Sequence, residues 1–385
     1  MPAPAPIYLD YHATTPVDPR VWRAMEPFFS TQFGNPASTS HAFGWAAAQA
    51  VQRARGQVAA LIGAAPNEIV FTSGATESDN LAIKGIADRH RAKPAHIVTS
   101  AFEHHAVLDP CARLEHEGFA LTRLGVNREG LVSIAELEAA LRPETVLISV
   151  MAVNNEIGTV QDMAAIGALA RRRGIALHTD ATQAVGKIPV AVADWQVDLL
   201  SLSAHKMYGP KGVGALYVRA GTGLCCQQDG GGHERGLRSG TLNVPGIVGL
   251  GEAAALAQQE MAEESARIAA LRDWMCERIS SRLPGVSVNG SLRQRVPHNL
   301  HLTLEGVEAE TLMMSMPEVA VSSGSACTSA ARAASHVLLA IGLTPEQAQR
   351  SLRFGLGRFT TQDEVARAAE YLIQAAVQLR ELSLP

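Results

Sequence analysis

The stretch VDLLSLSAHKMYGPKGVGALYVR, residues 197–219, contains two short runs of strand-forming residues separated by a polar, glycine-containing turn. The first run, 197–203, is mostly apolar without regular alternation, which predicts a strand buried on both faces, as in a parallel sheet covered by helices. The second run, 213–219, predicts an edge or antiparallel strand. Lys206 follows the first run directly, at a strand end where a lysine can act as a nucleophile toward a carbonyl group.

Similar runs precede this stretch, and amphipathic helical patterns such as 162–174 lie between several of them. The runs are EIVFT (68–72), HIVTS (96–100), VLISVMAV (146–153) and IALHTD (175–180). This alternation predicts an α/β fold with a mainly parallel sheet between helices. Further along, a helical pattern over 246–283, a strand-like run at 298–304 and two more helices predict a smaller second domain, with the boundary near residue 260.

Composition and charge exclude several classes of protein. Of the 385 residues, 47% are hydrophobic and 18% are charged, an ordinary balance for a folded chain and not for a disordered one. The net charge of -4 gives no reason to expect a nucleic acid partner. The five cysteines show no C-x-x-C spacing, which argues against a disulfide framework and against an intrinsic metal site. With no membrane-length apolar stretch and no signal peptide, we expect a cytoplasmic protein.

Polar residues follow five of the predicted strands directly, at the edge where ligands bind in open α/β sheets. They lie at 73–78, 103–105, 154–156, 180–183 and 205–206. Taken singly, Asp180 and the Ser/Thr turn could be helix caps, and His104 could be a core histidine. Together they fit pyridoxal phosphate, which needs an acid for its ring nitrogen, a lysine for its carbonyl carbon, a flat side chain on its ring and a turn for its phosphate.

Ten motifs along residues 7–380 resemble, in order, the pyridoxal-phosphate-dependent cysteine desulfurases of the NifS/IscS type, in the class V aminotransferase group. They are LDYHATTPVDPRV, FGNPAS, FTSGATESDNLAIKG, EHHAVLD, VNNEIGTVQD, DATQAVGK, HKMYGPKGVGALYV, GGGHERGLRSGT, SSGSACTS and LRFGLGRFT. The resemblance implies the aspartate aminotransferase-like fold (fold type I), with a mainly parallel seven-stranded sheet between helices and a smaller α+β domain. It implies a large cofactor domain, 16–260, and a small domain, 1–15 with 261–385, that carries the catalytic cysteine loop.

The resemblance also implies roles for single residues around pyridoxal 5'-phosphate. Lys206 would bind the cofactor covalently, Asp180 would pair with the ring nitrogen, and Gln183 would bond the ring hydroxyl. His104 would stack on the ring and carry protons. The remaining cofactor positions, most of them at the phosphate, are Ala75, Thr76, Asn155, Ser203 and His205.

Two further positions concern the partner subunit and the substrate. Thr241 resembles the residue that reaches the phosphate of the neighbouring subunit's cofactor, which implies a homodimer. Asn155 and Arg353 match positions near the substrate, where a guanidinium fork suits a carboxylate. From its local sequence alone, SLRFGLGRF, Arg353 would be interpreted as an exposed charge at a helix end.

Cys327 lies in VAVSSGSACTSAARAASH (319–336), whose small residues favour a mobile loop. The resemblance implies that its thiolate takes the sulfur of L-cysteine, leaves L-alanine and passes the resulting persulfide to acceptors for iron–sulfur cluster assembly or tRNA thiolation. A cluster on a partner scaffold could then also contact Cys327. The adjacent Cys225 and Cys226 are interpreted as structural or incidental.

Several alternatives stay open at this point. A selenocysteine lyase or an aminotransferase would share the fold, although an aminotransferase needs no thiol on a loop. Cys327 with a histidine could instead form a thiol hydrolase without a cofactor. A catalytically silent partner that only docks a sulfur acceptor is a fourth possibility. Docking to an iron–sulfur scaffold is in doubt, because housekeeping relatives use a longer carboxyl tail for it.

Overall fold

The computed structural model describes residues 6–323 and 334–382. Strands and helices are numbered in chain order. The strands are β1 (Ile7–Tyr8), β2 (Ile69–Thr72), β3 (His96–Ser100), β4 (Ala120–Leu124), β5 (Thr145–Ser149), β6 (Ala176–Asp180), β7 (Leu199–Ser203), β8 (Gly214–Val218), β9 (Val286–Val288), β10 (Asn299–Leu304), β11 (Val319–Ala320) and β12 (Ser351–Gly355). The helices are α1 (Pro19–Met25), α2 (Pro27–Ser30), α3 (Ala42–Ile62), α4 (Ala75–Asp88), α5 (His105–His116), α6 (Ile134–Ala140), α7 (Met163–Arg173), α8 (Val192–Trp195), α9 (Val244–Arg282), α10 (Ala309–Ser315), α11 (His336–Ala340), α12 (Pro345–Gln349) and α13 (Gln362–Leu382).

A seven-stranded sheet with the order β2-β8-β7-β6-β5-β3-β4 organises the first two thirds of the chain. The strands from β7 to β4 pair in parallel, and β8 pairs antiparallel with both of its neighbours. The expected α/β fold with a mainly parallel sheet is confirmed. The run 213–219 forms an antiparallel strand, but the alternative that it lies at an edge is wrong, because β2 covers its outer side.

The apolar runs form this sheet because successive residues of each strand enter two different cores. Leu199 and Leu216 pack with apolar side chains of α4 and α5 on one face. Leu200 and Ala215 pack with α3, α7 and α9 on the other face. A strand buried on both sides therefore has apolar residues without alternation, as in β7 and β8. The edge strand β4 is only partly buried, and its sequence ALTRL gave no such pattern.

A second core lies around the antiparallel sheet β12-β10-β9 and the helix α13. The pair β1-β11 contributes Ile7 and Leu9 to it, so the first residues described pack with the carboxyl-terminal part of the chain. The predicted long helix is confirmed as α9, which has 39 residues and packs side chains into both cores. Ile247 packs in the first core and Ile279 in the second. The later part of the chain has four helices, α10–α13, in its described residues rather than two. The domain boundary at residue 260 stays a prediction.

Buried polar groups cross the large sheet below its carboxyl edge. The His178 ring bonds the hydroxyl groups of Ser149 (2.8 Å) and Ser201 (3.0 Å), and its Nε2 lies 3.5 Å from a carboxyl oxygen of Asp79. Glu103 accepts hydrogen bonds from the Ser100 hydroxyl and from the Met151 amide. Burial, with the nearby charges of Asp180 and Asp79, raises the pKa of Glu103 to about 8. The loop just after β3 thus contains a buried carboxyl group that keeps its proton at neutral pH.

We expect Glu103→Gln to change how stability depends on pH. Native Glu103 keeps a proton up to about pH 8, whereas an exposed glutamate releases it near 4.5. The native state therefore binds more protons between these values, and this contribution to stability is lost as pH rises toward 8, by up to about 1.4 kcal/mol per pH unit. Glutamine cannot ionise, so the variant lacks this loss of stability. The Tm of the variant minus the Tm of the wild type should therefore increase from about pH 6 to pH 8.

Thermal unfolding of both proteins across this range measures the difference. Glu136→Gln, at an exposed site on α6, is the matched control. The difference between its Tm and that of the wild type should not change with pH. A Tm difference between Glu103→Gln and wild type that stays constant with pH would contradict the assignment of a protonated Glu103.

Candidate active site

A cavity of about 780 Å³ lies beyond the carboxyl ends of the parallel strands. Polar residues that follow β2, β3, β6 and β7 line it, as do residues 155–156 after β5, whereas Ser78 and Glu103 do not. The sequence-predicted site residues brought together there are Ala75, Thr76, His104, Asn155, Asp180, Gln183, Ser203, His205, Lys206 and Arg353. Thr241 is exposed and does not line the cavity. Cys327 lies outside the described residues.

The turn between β2 and α4 forms one wall of the cavity. Helix α4 begins at Ala75, and its N-cap Gly74 provides no side-chain cap for the amide groups of the first turn. Strand β8 approaches so closely that a Cβ on Gly214 would lie 2.7 Å from Cα of Gly74, which itself has a φ of 151°. A helix N-terminus whose amides face a cavity is suited to bind an anion.

Lys206 ends a short 3₁₀ turn directly after β7. Its Nζ donates to the backbone carbonyl oxygens of His12 (2.5 Å) and Ala13 (2.8 Å). The Gln183 amide donates to the same His12 oxygen at 3.1 Å. Asp180, the last residue of β6, accepts the Thr182 amide hydrogen at 2.9 Å. The amine, the amide and the acid are therefore held at one wall by backbone groups.

His104 and His205, two of the histidines that line the cavity, have pKa values below the usual value of histidine. His104 is the N-cap of α5, where its Nδ1 accepts the Ala106 amide hydrogen at 3.1 Å. Burial lowers the pKa of His104, an effect that Asp180 opposes and Lys206 reinforces. Burial and the charge of Lys206 lower the pKa of His205 to about 4. Because Nδ1 of His104 accepts the Ala106 amide hydrogen, the proton of the neutral His104 ring lies on Nε2, which can donate it.

Arg353 lies in the middle of β12 and is 4% exposed, so the interpretation as an exposed helix-end charge is wrong. Its guanidinium contacts Asp10 at 2.9 Å and donates to the Asn155 carbonyl oxygen at 2.9 Å. Among the described residues, its Nε and the side-chain oxygen of Asn155 have no hydrogen-bond partner. Both groups can therefore bind a ligand in the cavity.

Several lining residues were missed by the sequence reasoning. His12, Ala13 and Thr14 come from the N-terminal segment, whereas Thr182 and Glu156 lie in the predicted polar stretches 180–183 and 154–156 but were given no role. Glu156, whose pKa burial raises to about 7, accepts a hydrogen bond from Ser335 (2.5 Å) at the far side of the undescribed segment 324–333. The polar run HATT after the apolar IYL was the one available signal for the N-terminal group.

Two negative findings apply to the residues described. Within 6–323 and 334–382, no cluster of three or more His, Cys, Asp or Glu side chains has the arrangement of a metal site. Over the same ranges, no helix has both the length and the apolar composition needed to cross a membrane.

Comparison with known proteins relates this geometry to a family. Residues 7–368 match the family model described as aminotransferase class V. Proteins named cysteine desulfurase IscS from Anaeromyxobacter dehalogenans (strain 2CP-C) and Pseudomonas aeruginosa (strain LESB58) are 56% and 55% identical to this chain, over 98% of it and 94% of their own length.

Solved structures agree with this relationship. A structure named NifS-like protein superposes with a TM-score of 0.90 at 35% identity, covering 97% of this chain and 99% of the other. A structure named SspA in complex with cysteine gives a TM-score of 0.81 at 40% identity, covering 92% and 99%. The chain therefore belongs to the class V aminotransferase family and, within it, to the cysteine desulfurases.

Proposed function

We propose that this protein uses pyridoxal 5'-phosphate to remove sulfur from L-cysteine, forming L-alanine and a persulfide on Cys327. The observation that carries the proposal is the cavity in which Lys206, Asp180 and His104 meet the turn 73–76. The near full-length similarity to proteins named cysteine desulfurase supports the reaction, and the cysteine-bound SspA structure supports the substrate.

The donor set of the cavity fits pyridoxal phosphate. The turn before α4, with Ser203 and His205, would hold the phosphate, and Asp180 would keep the ring nitrogen protonated. Gln183 would bond the ring hydroxyl and Lys206 would carry the carbonyl carbon. When bound, this cofactor supplies an electron sink that stabilises the carbanion left when the substrate loses its α-proton.

The chain's own residues would then bind the substrate and move its protons. Arg353 would pair with the carboxylate of cysteine, and the unpartnered side-chain oxygen of Asn155 would accept a hydrogen bond from the cofactor's hydroxyl group. The amine of Lys206, released from the cofactor, would take the α-proton. Nε2–H of neutral His104 would donate a proton during the reaction and take it back afterwards.

Cys327 would complete the reaction by attacking the sulfur of the bound cysteine. A sulfur–sulfur bond forms, the carbon–sulfur bond breaks, and the β-carbon keeps the electron pair that becomes the methyl group of alanine after protonation. The thiol must be ionised for this attack, so a neighbouring base has to remove its proton. Thiol exchange would then pass the sulfur to acceptor proteins for iron–sulfur cluster assembly or tRNA thiolation.

We also propose that two copies of the chain form a homodimer through an aromatic surface, defined as Trp22, Phe29, Phe33, Phe43 and Trp45. Each of these side chains is more than half exposed, at 51–66%. Pro36 and Ala37, between them in sequence, line a groove together with His233 and Leu242. The segment between Phe33 and Phe43 therefore shares a groove with residues on both sides of Thr241 in sequence. A second copy seated there would bury the aromatic side chains and receive Thr241 near its own cofactor.

A buried ion pair fixes the backbone of this loop. Glu234 accepts from the Arg55 guanidinium at 2.6 and 2.7 Å and from the Phe71 amide at 2.8 Å. Glu234 and Arg235 both adopt left-handed conformations, with φ of 49° and 59°. Such a conformation is costly for residues with a Cβ and persists where side-chain contacts enforce it. The ion pair supports the proposed dimer because a loop that delivers one hydrogen bond to a partner needs a fixed backbone.

A cytoplasmic location stays a prediction.

The proposed function is tested by adding L-cysteine and a thiol reductant to the purified protein. We expect a cofactor absorption band that changes with cysteine, and alanine and sulfide formed in equal amounts. Lys206→Ala should lose the covalently bound cofactor and turnover, whereas Lys211→Ala should keep the cofactor attached. Transamination without sulfide release would agree with the family but overturn the proposed reaction. A colourless protein would favour the thiol hydrolase. With L-selenocysteine supplied in a parallel assay, selenide release faster than sulfide release from L-cysteine would favour selenocysteine as substrate.

Replacing the proposed nucleophile should separate cofactor chemistry from sulfur transfer. Cys327→Ser should keep the absorption band and its change with L-cysteine, but lower sulfide release by more than about 1000-fold. Cys276→Ser, on α9 beside the second core, serves as the matched control and should release sulfide at the normal rate. Wild-type sulfide release by Cys327→Ser would remove this residue from the mechanism.

The contribution of the second subunit can be measured through cofactor affinity. Thr241→Val should weaken binding of pyridoxal phosphate to the apoprotein by about tenfold, the value of one hydrogen bond to a charged group. Sedimentation should still show a dimer, since the hydroxyl is not needed to bury the aromatic surface. Thr311→Val, at an exposed position on α10, is the control. Unchanged affinity in Thr241→Val, or a monomeric wild type, would contradict the proposal.

A further inference from the structure

His12 presents a buried imidazole to the cavity from the N-terminal segment. It is 1% exposed and lines the cavity together with Lys206 and Arg353. Its ring stacks on the ring of His298 with a centroid separation of 4.3 Å and an interplanar angle of 12°. This stack fixes the plane of the His12 ring, so each ring nitrogen has a defined direction.

The hydrogen bonds of Asn299 determine which nitrogen of His12 carries the proton. The Asn299 side-chain oxygen accepts from the guanidinium of Arg295 at 2.7 Å, and its Nδ2 donates to the Glu156 carbonyl oxygen at 2.8 Å. A guanidinium only donates and a carbonyl only accepts, so the amide cannot be turned over. The second hydrogen of Nδ2 points to Nε2 of His12, 3.2 Å away. Nε2 is therefore an acceptor.

The remaining nitrogen is a donor without an acceptor. Burial, together with His298 and the positive charges of Arg353 and Lys206, lowers the pKa of His12 well below its usual value, so the ring is neutral. A neutral ring whose Nε2 accepts has its proton on Nδ1. Within residues 6–323 and 334–382, Nδ1 has no hydrogen-bond partner. Buried donors in native proteins are nearly always satisfied, so an unsatisfied one in a ligand cavity indicates a ligand atom.

We propose that Nδ1 of His12 donates a hydrogen bond to a carboxylate oxygen of the amino-acid substrate. This inference rests on the proposed function and extends it by one substrate-binding residue. Arg353, the expected carboxylate partner, already gives hydrogen bonds to Asp10 and to the Asn155 carbonyl. A carboxylate has lone pairs for more donors than the remaining groups of Arg353 supply.

The chemistry of the substrate favours its carboxylate over its sulfur. An anionic oxygen accepts much more strongly than a thiol sulfur, which is a weak acceptor. The backbone carbonyl of His12 accepts a hydrogen bond from Nζ of Lys206, so His12 positions both the lysine and a donor for the substrate. Because the donor is neutral, it adds a directional contact without adding positive charge beside Arg353. His12 would thus favour amino acids whose carboxylate is oriented toward it while the α-carbon faces Lys206.

Two substitutions distinguish the two nitrogens of the ring. The amide nitrogen of asparagine can occupy the place of Nδ1, whereas the glutamine amide reaches the place of Nε2. Calorimetry with the cofactor-loaded protein would compare binding of L-alanine, the product, with binding of L-alaninamide, which lacks the carboxylate. We expect His12→Gln to weaken L-alanine binding by about tenfold and to change L-alaninamide binding by less than about twofold. His12→Asn should bind L-alanine within about threefold of the wild type.

His301→Asn is the matched control. His301 is a buried histidine on β10 that contacts Asn289 at 3.0 Å and does not line the cavity. Its substitution should leave L-alanine binding unchanged. In nitrogen-15 spectra of histidine-labelled wild type, the Nδ1–H signal that disappears in His12→Gln should shift when L-alanine is added.

Equal L-alanine affinity in wild type and His12→Gln would overturn the proposal for His12 and leave the proposed function intact. Weakened L-cysteine binding with unchanged L-alanine binding would also overturn it, since the donor would then face sulfur. A wild type without cofactor absorption or sulfide release would instead overturn the proposed function itself.

Discussion

The carbonyl oxygens of His12 and Ala13 hold the amine of Lys206, and the rest of the site depends on this contact. The two partners are almost 200 residues apart in sequence, so the contact exists only when the N-terminal segment lies across the edge of the large sheet. Thr15 and the His205 carbonyl fix the segment on the sheet side, at 2.9 Å. Strand β1 fixes its other end in the second core through β11. The lysine is therefore positioned by the assembled fold.

The same segment also joins the lysine to the substrate end of the cavity. Asp10 binds Arg353 through one carboxyl oxygen and the hydroxyl of Ser322 through the other, each at 2.9 Å. Ser322 lies two residues before the undescribed segment that contains Cys327. Asp10, His12 and Ala13 thus contact the amine of Lys206, the guanidinium of Arg353 and the hydroxyl of Ser322. The path of this N-terminal segment therefore determines where Lys206, Arg353 and Ser322 lie relative to one another.

Local sequence predicted what is encoded locally. Strand β7 and Lys206 could be predicted because an apolar run ends abruptly in polar residues, and the same signal appeared at four other strands. Strand β4 was missed because an edge strand buries only part of its surface and needs few apolar residues. The place of β8 inside the sheet depends on β2, about 145 residues earlier, which no local pattern encodes. Only the family resemblance pointed to Arg353, and the sequence assigned no role to His12, whose partner Asn299 is 287 positions away. The roles of Cys327 and Thr241 stay predictions.

The 39-residue helix α9 affects how the protein folds during its synthesis. At 1.5 Å per residue it is about 58 Å long, and its two halves bury apolar side chains in different cores. A chain still emerging from the ribosome at residue 260 has completed neither the helix nor the sheet around β10 and β12. The N-terminal segment must also wait for β11 and β12 before it can settle across the cavity. The cavity would therefore be among the last parts of the protein to form, and cellular quality control would encounter one late-folding unit.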